Sequence, residues 1–250
     1  MEKKFLTYNM EVNGLWQEVK FSEYAVEEIF MPFLHELTDL KMTMDRKVIA
    51  YLVAPPGAGK STLAQFLEKL SRERSNEVDP IRALGMDGYH YTAAYMKITT
   101  VERDGEQVLM SKIKGAPETF DVDLLVEKIR EVRSEGTDWN IYDRKIHDVL
   151  PDYFSVEDDI ILLEGNYLLL KEKGWTNVRV LSDYSAFIDA PPELLRERII
   201  SRKIQGGYSR EEAEEFFNFS DAKNIERVLK NSAWADETWQ LLPDGDIDKQ

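Results

Sequence analysis

The feature that most constrains the fold is a glycine-rich segment, residues 54–62, that joins a predicted strand to a predicted helix. The strand is indicated by the unbroken apolar run at residues 48–53. A helix is indicated at residues 61–73, where apolar side chains recur at helical spacing: Leu63, Phe66, Leu67 and Leu70. A continuous apolar strand followed by an amphipathic helix is typical of a parallel sheet that helices cover on both faces. The chain is therefore expected to be an α/β protein, a doubly wound parallel sheet with flanking helices.

The same alternation of strand and helix continues along the chain. Short apolar runs predict strands at residues 81–86, 160–163, 184–188 and, last, 238–242. Amphipathic patterns predict helices at residues 122–133, 193–203 and 209–229. The last of these helices opens with a capping box formed by Ser209 and Glu212. Residues 243–250 are interpreted as an acidic tail.

The first 45 residues differ in character from the rest, so the chain is divided into an N-terminal extension, residues 1–45, and a main domain, residues 46–250. Asn13-Gly14 lies between two strand-like segments and predicts a tight β-hairpin. A helical pattern follows, and Pro32 is expected to kink this helix or restart it. We expect the helix to pack on the main domain, and we assign the extension no role beyond packing or contacts within a homodimer.

Composition narrows the classes of function. The chain has 250 residues with 32 Lys and Arg against 47 Asp and Glu, a formal net charge of -15, which disfavours nucleic-acid binding. The absence of cysteine excludes disulfides, thiolate zinc sites and cysteine nucleophiles. No apolar run approaches the roughly 20 residues of a membrane helix, and the first residues lack the pattern of a secretory signal. We therefore expect a cytoplasmic protein whose partners are neither nucleic acids nor membranes.

The loop sequence APPGAGKST has the pattern of a phosphate-binding loop, although Ala54 stands where the usual pattern has its first glycine. Small residues allow several backbone amides to point at one phosphate, and the following helix adds the positive end of its dipole. We expect Lys60 to reach the β- and γ-phosphates of a nucleotide and the Ser61 hydroxyl to bind Mg²⁺. The residues predicted to contact the nucleotide are Pro56, Gly57, Ala58, Gly59, Lys60, Ser61 and Thr62.

Two carboxylates follow predicted strands, at the edge where open α/β sheets bind ligands. Asp87 comes after the strand at 81–86 and would accept a proton from an attacking hydroxyl. Glu164 comes after the apolar run at 160–163 and would hold Mg²⁺ directly or through water. In the alternative interpretations, Asp87 is an ordinary turn residue before Gly88, and Glu164 is an ordinary acidic residue at the end of a strand.

Two arginines lie four residues apart on one face of a predicted helix, Arg198 and Arg202. In an otherwise acidic chain, such a pair would cover the phosphates and stabilise the charge on a transferred phosphoryl group. Alternatively, the two arginines lie on a solvated face of the helix and pair with neighbouring glutamates. The sequence has no Asn-Lys-x-Asp string, the guanine-reading motif, which argues against a GTPase.

With these motifs in place, residues 48–231 resemble the P-loop kinase family that contains uridine kinase, phosphoribulokinase and the bacterial type of pantothenate kinase. Besides the loop, the resemblance rests on DGYH at 87–90, KGAPETFD at 114–121, YDRKIH at 142–147, LEGN at 163–166 and the basic segment 198–203. The chain looks most similar to a branch of nucleoside or fructose-transport-associated kinases. The resemblance implies the doubly wound fold, activation of the acceptor hydroxyl by Asp87, and a lid near residues 196–210.

The polar residues of these motifs are predicted to bind the acceptor: Asp87, His90, Lys114, Tyr142, Arg144 and His147. Asp87, Lys60, Arg198 and Arg202 are predicted to be catalytic. The expected protein is thus a kinase that uses ATP and Mg²⁺ and phosphorylates a hydroxyl of a nucleoside-like or sugar-like metabolite. The sequence leaves open whether the acceptor is a nucleoside, a sugar, a sugar phosphate or a pantothenate-like compound, and whether the phosphate donor is ATP or GTP. The alternative is an ATP-binding regulatory ATPase that acts on a protein partner.

Overall fold

The computed structural model describes residues 3–12, 15–103 and 105–249. Its strands are β1 Phe5–Val12, β2 Leu15–Ser22, β3 Val48–Val53, β4 Arg82–Gly85, β5 Thr100–Arg103, β6 Glu106–Leu109, β7 Thr137–Asp143, β8 Asp148–Val156, β9 Ile160–Gly165, β10 Tyr184–Asp189, β11 Glu237–Leu241 and β12 Ile247–Lys249. Its helices are α1 (Glu23–Ala25, Val26–Phe30 and Met31–Thr43, without a break), α2 Lys60–Glu73, α3 Ala93–Ile98, α4 Val122–Ser134, α5 Trp175–Arg179, α6 Pro192–Gln205 and α7 (Arg210–Phe216, Phe217–Asp221 and Ala222–Asn231, without a break).

The central sheet has the strand order β12-β11-β10-β3-β9-β4. Its strands are parallel except at one edge, where β12 runs antiparallel to β11. The two central strands, β3 and β9, are buried along their whole length, which explains why their sequences are so apolar. The predicted α/β fold with a mostly parallel sheet is confirmed.

Strand β3 shows how helices come to cover both faces of this sheet. Successive side chains of a strand point to opposite faces. Ala50 and Leu52 therefore join a buried cluster with α1 and α2, whereas Ile49 and Tyr51 join a second cluster with α4. The sheet is thus the middle layer of three, and the loops at its carboxyl edge are held between the outer layers.

The N-terminal extension is packed against the first cluster. β1 and β2 pair as the predicted hairpin, while its predicted turn at Asn13-Gly14 lies outside the described residues. In α1 a π-helical turn, Val26–Phe30, directly precedes the α-helical segment that contains Pro32, so the expected interruption takes the form of a local change in helix type. Phe30 and Phe33 contact Trp239 of β11, which confirms that the helix packs on the main domain. The division at residue 45 stays a prediction.

Three antiparallel pairings differ from the sequence expectations. The hairpins β5–β6 and β7–β8 were not among the predicted strands. Residues 243–250 were interpreted as a tail, and this is wrong because β12 pairs with β11 and buries Ile247. β5, β6 and β12 have only three or four residues each, so their apolar pattern is too brief to be recognised without their partners. In the described residues, no helix is both long and apolar enough to span a membrane.

Candidate active site

The phosphate loop connects β3 to α2 at the carboxyl edge of the sheet, between the neighbouring strands β9 and β10. Gly57 and Gly59 have φ angles of +88° and +91°, a region that glycine adopts without strain. Ala54 is fully buried and is not among the residues with positive φ. Alanine therefore fits the position where the usual pattern has glycine.

Ser61, Glu164 and Lys60 form a compact polar group under the loop. Ser61 Oγ donates a hydrogen bond of 2.6 Å to Glu164 Oε1, and Lys60 Nζ lies 3.9 Å from Glu164 Oε2. Pairing of β3 with β9 brings Glu164 opposite Leu52, just before the loop. Burial raises the pKa of the Glu164 carboxyl, and the positive charge of Lys60 opposes this shift.

This group has the donor chemistry that Mg²⁺ requires. Mg²⁺ prefers oxygen ligands and is held in nucleotide sites by one or two protein groups together with phosphate oxygens. The Ser61 hydroxyl and the Glu164 carboxylate supply two such oxygens close together. A divalent cation would also neutralise a carboxylate whose charge is unfavourable where it is buried. The residues present therefore fit a magnesium site.

Asp87 lies in a cleft of about 160 Å³ that Ser61 and Glu164 also line. It belongs to a 3-10 turn, Met86–Tyr89, that directly follows β4. The electrostatic effect of Asp87 contributes to the raised pKa of Glu164, as expected for two carboxylates facing one space. A Cβ atom at Gly88 would lie 2.1 Å from the Asn140 carbonyl oxygen, so glycine is required for the turn to press against β7.

Tyr142 lines this cleft, and Lys114 is hydrogen-bonded to it. Lys114 Nζ donates to Tyr142 Oη at 2.5 Å and to the His147 carbonyl oxygen at 3.0 Å. Its ammonium group also lies 4.4 Å from the centre of the Tyr142 ring. Desolvation lowers the pKa of Lys114. The predicted acceptor residues Lys114 and Tyr142 are thus held together, whereas His147 contributes its main chain and its side chain is exposed.

His90 lies beside two residues of the cleft, Asp87 and Tyr142. Its Nδ1 lies 2.9 Å from the Asp87 carbonyl oxygen, and its ring stacks on Phe120 at a centroid distance of 3.8 Å. Burial lowers the pKa of His90, so the neutral imidazole is favoured. The His90 ring lies 5.7 Å from that of Tyr142. The motifs at 87–90 and 142–147 therefore meet in one place.

The basic residues lie around the opening of the site. Arg198 Nη1 is 3.5 Å from the Ala58 carbonyl oxygen, so this arginine touches the phosphate loop itself. Desolvation, followed by the positive charge of Arg144, lowers the pKa of Arg202, which places these two arginines near each other. Arg144 lines the cleft, and in the described part of the chain it forms no ion pair or hydrogen bond. The arginines of α6 thus lie beside the loop and the cleft.

Several residues at or near this site were not among the predicted site residues. Trp139, Asn140 and Phe154 of the hairpin β7–β8 line the cleft, and Trp139 Nε1 donates to the Gly85 carbonyl oxygen at 3.0 Å. The alternation of apolar and polar residues at 139–142 is the signal that could have indicated this strand. Asp221 of α7 forms an ion pair of 3.3 Å with Lys203 of α6 and lies within electrostatic reach of Arg202.

Comparisons with known proteins point to one family. The profile of the "Phosphoribulokinase / Uridine kinase family" matches residues 48–248. "Uncharacterized protein YggC" of Escherichia coli (strain K12) is 39% identical over 237 residues, which are 94% of this chain and 96% of that protein. "Putative uridine kinase" of Schizosaccharomyces pombe is 31% identical over 205 residues, 79% of this chain and 84% of that protein.

The solved structures agree at the level of the fold. The crystal structure of a "putative fructose transport system kinase" from Silicibacter sp. TM1040 has a TM-score of 0.70 and 23% identity, and it covers 81% of this chain and 98% of that one. The region matched by the family profile contains the phosphate loop, Asp87, Glu164 and both arginines of α6. The chain therefore belongs to the phosphoribulokinase / uridine kinase family of P-loop kinases.

Proposed function

We propose that this kinase transfers the γ-phosphoryl group of ATP, with Mg²⁺, to a hydroxyl group of a nucleoside-like or sugar-like metabolite. One observation carries the proposal: the oxygen pair of Ser61 and Glu164 and the carboxylate of Asp87 line the same cleft. A nucleotide phosphate on the loop and a hydroxyl at Asp87 would meet there. A protein that only bound or hydrolysed ATP would not need the second carboxylate or the polar wall around it.

In the proposed reaction the acceptor oxygen attacks the γ-phosphorus, the bond to the β-phosphate oxygen breaks, and ADP leaves. Asp87 accepts the proton that the acceptor hydroxyl loses. Lys60 and the loop amides hold the β- and γ-phosphates, and Arg198 and Arg202 stabilise the charge that spreads over the transferred group. Mg²⁺, when bound, would neutralise phosphate charge, and Ser61 and Glu164 would hold it.

The cleft also constrains the acceptor. Lys114 is already bonded to Tyr142 and His147, so it serves chiefly to orient the tyrosine ring. Arg144 lines the cleft with a guanidinium group to which no described residue is bonded. A guanidinium suits a carboxylate, a phosphate or a set of hydroxyl oxygens. We propose a small polar acceptor that presents such a group to Arg144, and we place the reaction in the cytoplasm.

The experiment is ADP release from Mg²⁺-ATP across nucleosides, sugars, sugar phosphates and pantothenate, with Asp87→Asn beside the wild type and Lys60→Ala as the blank. We expect one class of acceptor to stimulate the wild type. Asp87→Asn should reduce kcat by about 10²–10⁴-fold because the proton loses its acceptor. Its affinity for ATP should be unchanged, since Asp87 contacts the acceptor.

The matched control is Asp138→Asn, which removes the same charge at an exposed position of β7. It should retain the activity of the wild type. Full turnover by Asp87→Asn would remove this residue from the mechanism. ATP binding without a response to any acceptor, together with hydrolysis stimulated by a protein, would replace the proposal with a regulatory ATPase.

A further inference from the structure

A second cavity lies on the other side of the phosphate loop from the acceptor cleft. It encloses about 250 Å³. Ala58, Gly59 and Thr62 border it, whereas Ser61 borders the acceptor cleft. The acceptor cleft lies at strands β4 and β9, and the second cavity lies at strands β10, β11 and β12. Because β3 separates these two sets of strands in the sheet, the loop that follows β3 separates the two cavities.

This division matches the geometry of phosphoryl transfer. The attacking and leaving oxygens stand roughly in line on opposite sides of the transferred phosphorus. If the acceptor occupies the cleft of Asp87, the rest of the donor nucleotide extends away from it, past the loop. The inference that follows rests on the proposed function, because it takes the loop to hold a nucleotide.

The second cavity has a surface suited to a base and its sugar. Its floor is apolar and comes from Leu63, Ile188, Leu241 and Ile247. The guanidinium group of Arg198 stands at one side, and Arg198 Nη2 would lie 3.2 Å from a Cβ atom at Gly245. The cavity thus combines an apolar floor with polar groups at its sides, an arrangement typical of sites for small molecules.

The remaining wall comes from the N-terminal hairpin, which lies outside the region matched by the family profile. Five consecutive residues of β2, residues 17–21, line the cavity. Gln17 Nε2 lies 3.4 Å from Thr62 Oγ1, so the hairpin reaches the phosphate loop directly. Val19 and Phe21 are buried on the same face of the strand and anchor it. The hairpin is therefore a fixed part of this cavity.

The main chain of β2 directs hydrogen-bonding groups at the cavity. In an antiparallel pair, the main-chain groups of alternate residues point to the partner strand and those between them point away. The Glu23 amide bonds to the Lys4 carbonyl oxygen, whereas the Ser22 amide points away from β1 and donates to Asp246 at 3.0 Å. By this alternation, the amides and carbonyls of Lys20 and Glu18 also point away from β1, toward the cavity.

We propose that the free edge of β2 forms one wall of the site for the donor nucleoside, where the main-chain groups of Glu18 and Lys20 hydrogen-bond the base or its sugar. An amide and a carbonyl on the same edge supply one donor and one acceptor side by side. The edge of a purine presents the complementary pair. The N-terminal extension thereby takes part in recognition of the nucleotide and is more than packing.

The test compares two proline variants of the hairpin, Glu18→Pro and Asn9→Pro. Proline removes the amide hydrogen and is tolerated at an edge strand when that hydrogen is not part of the ladder. Asn9 pairs with Glu18 in register, and its amide points to the opposite edge, away from the cavity. The measurement is the dissociation constant of Mg²⁺-ATP and of Mg²⁺-tripolyphosphate, which has the phosphates but no nucleoside.

We expect Glu18→Pro to weaken ATP binding by about tenfold, the effect of losing one hydrogen bond, and to leave tripolyphosphate binding unchanged. Asn9→Pro should bind both ligands like the wild type. Glu18→Ala removes the side chain and keeps the amide, so an equal loss of ATP binding in both Glu18 variants would assign the effect to the carboxylate and overturn the inference. A hairpin that only supported the loop would weaken both ligands together in Glu18→Pro, and that result would overturn the inference.

Hydrogen exchange of the unaltered protein gives a readout that does not depend on the folding of a variant. The amides of Glu18 and Lys20 should gain protection when ATP binds and none when tripolyphosphate binds. Equal protection with the two ligands would contradict the inference. If the wild type bound tripolyphosphate as tightly as ATP and transferred phosphate from it, the inferred nucleoside site would be wrong and the proposed function would stand. Wild-type protein that binds neither ligand would overturn the proposed function as well.

Discussion

At the scale of single residues, Glu164 is the position where stability and function oppose each other. Its carboxyl is buried beneath the phosphate loop, and this desolvation raises its pKa above the ordinary value of 4.5. A carboxyl with a raised pKa is harder to ionise in the folded than in the unfolded protein. Stability therefore declines as the pH rises from the unfolded value through the folded one. Ionisation of this carboxyl therefore costs stability, whereas the proposed Mg²⁺ site needs the ionised form.

The substitution Glu164→Gln tests this opposition. We expect the ligand-free variant to have a higher Tm than the wild type at pH 7, with the difference vanishing below pH 4.5, the ordinary value for this carboxyl. Its kcat should fall by about a hundredfold or more, because a ligand of the proposed Mg²⁺ is lost. Thermal unfolding with and without Mg²⁺-ATP, and with a chelator, measures both effects.

The control for this prediction is Glu157→Gln, which removes a charge at an exposed position near the start of β9. It should change neither the Tm nor the stabilisation by Mg²⁺-ATP. If Glu164→Gln kept the full Mg²⁺-dependent stabilisation by ATP, Glu164 would not be a magnesium ligand.

At the scale of secondary structure, antiparallel elements complete both the acceptor cleft and the central sheet. The hairpin β7–β8 supplies a wall of the acceptor cleft, and β12 extends the sheet beyond β11. The turn before β12 is tied to the N-terminal hairpin by the buried Asp246, which accepts from the Ser22 amide at 3.0 Å and from Lys3 Nζ at 3.2 Å. The N-terminal hairpin and the turn before β12 therefore meet beside the second cavity.

The substitution Asp246→Asn should weaken this connection. We expect it to lower the free energy of unfolding by about 1–3 kcal/mol at pH 7, because a charged acceptor of two hydrogen bonds becomes neutral. Although burial acts in the opposite direction, the bonds from Ser22 and Lys3 hold the pKa of Asp246 below its ordinary value of 3.8. The stability gained from Asp246 is present above pH 3.8 and is lost as the pH falls through the lowered pKa.

Denaturant unfolding of both proteins between pH 3 and pH 7 is the measurement, and the difference between wild type and variant should shrink at the acid end of this range. Asp248→Asn is the control, since within the described residues that side chain bonds only the neighbouring Lys249 amide. A difference that stayed constant with pH would mean that the charge of Asp246 contributes nothing.

At the scale of the whole molecule, the extension and the kinase core share one buried cluster. Phe30 of α1 contacts Phe21 of β2, Phe66 of α2 and Trp239 of β11, at centroid distances of 5.2, 5.9 and 5.8 Å. A single side chain thus joins the hairpin, the helix that follows the phosphate loop and strand β11 of the central sheet. We expect the chain to unfold in one cooperative transition.

The substitution Phe30→Ala should lower the free energy of unfolding by about 3–5 kcal/mol, because it leaves a cavity among these aromatic rings. The transition should move to lower temperature as a single peak in calorimetry and should shift upward again with ATP. Two separate transitions, of which only one moved, would show that residues 1–45 fold apart from the rest.

The amino-acid sequence by itself determined the local features of this protein. Unbroken apolar runs predicted the central strands because a strand buried on both faces has no polar position. The phosphate loop, Asp87 and Glu164 were identified because strand ends and glycine turns have short, local signatures. These features depend only on neighbours in the chain, and the strands and the loop lie where they were predicted.

Only the tertiary structure decided which of these features meet. Lys114 bonds Tyr142, Gly88 is pressed against Asn140, and β2 reaches the phosphate loop, yet none of these partners is near the other in sequence. The strand β12 became visible only through its pairing with β11, since three residues carry too little pattern alone. Contacts of this kind arise when the sheet brings distant segments to one edge, and sequence periodicity describes a segment without describing what packs against it.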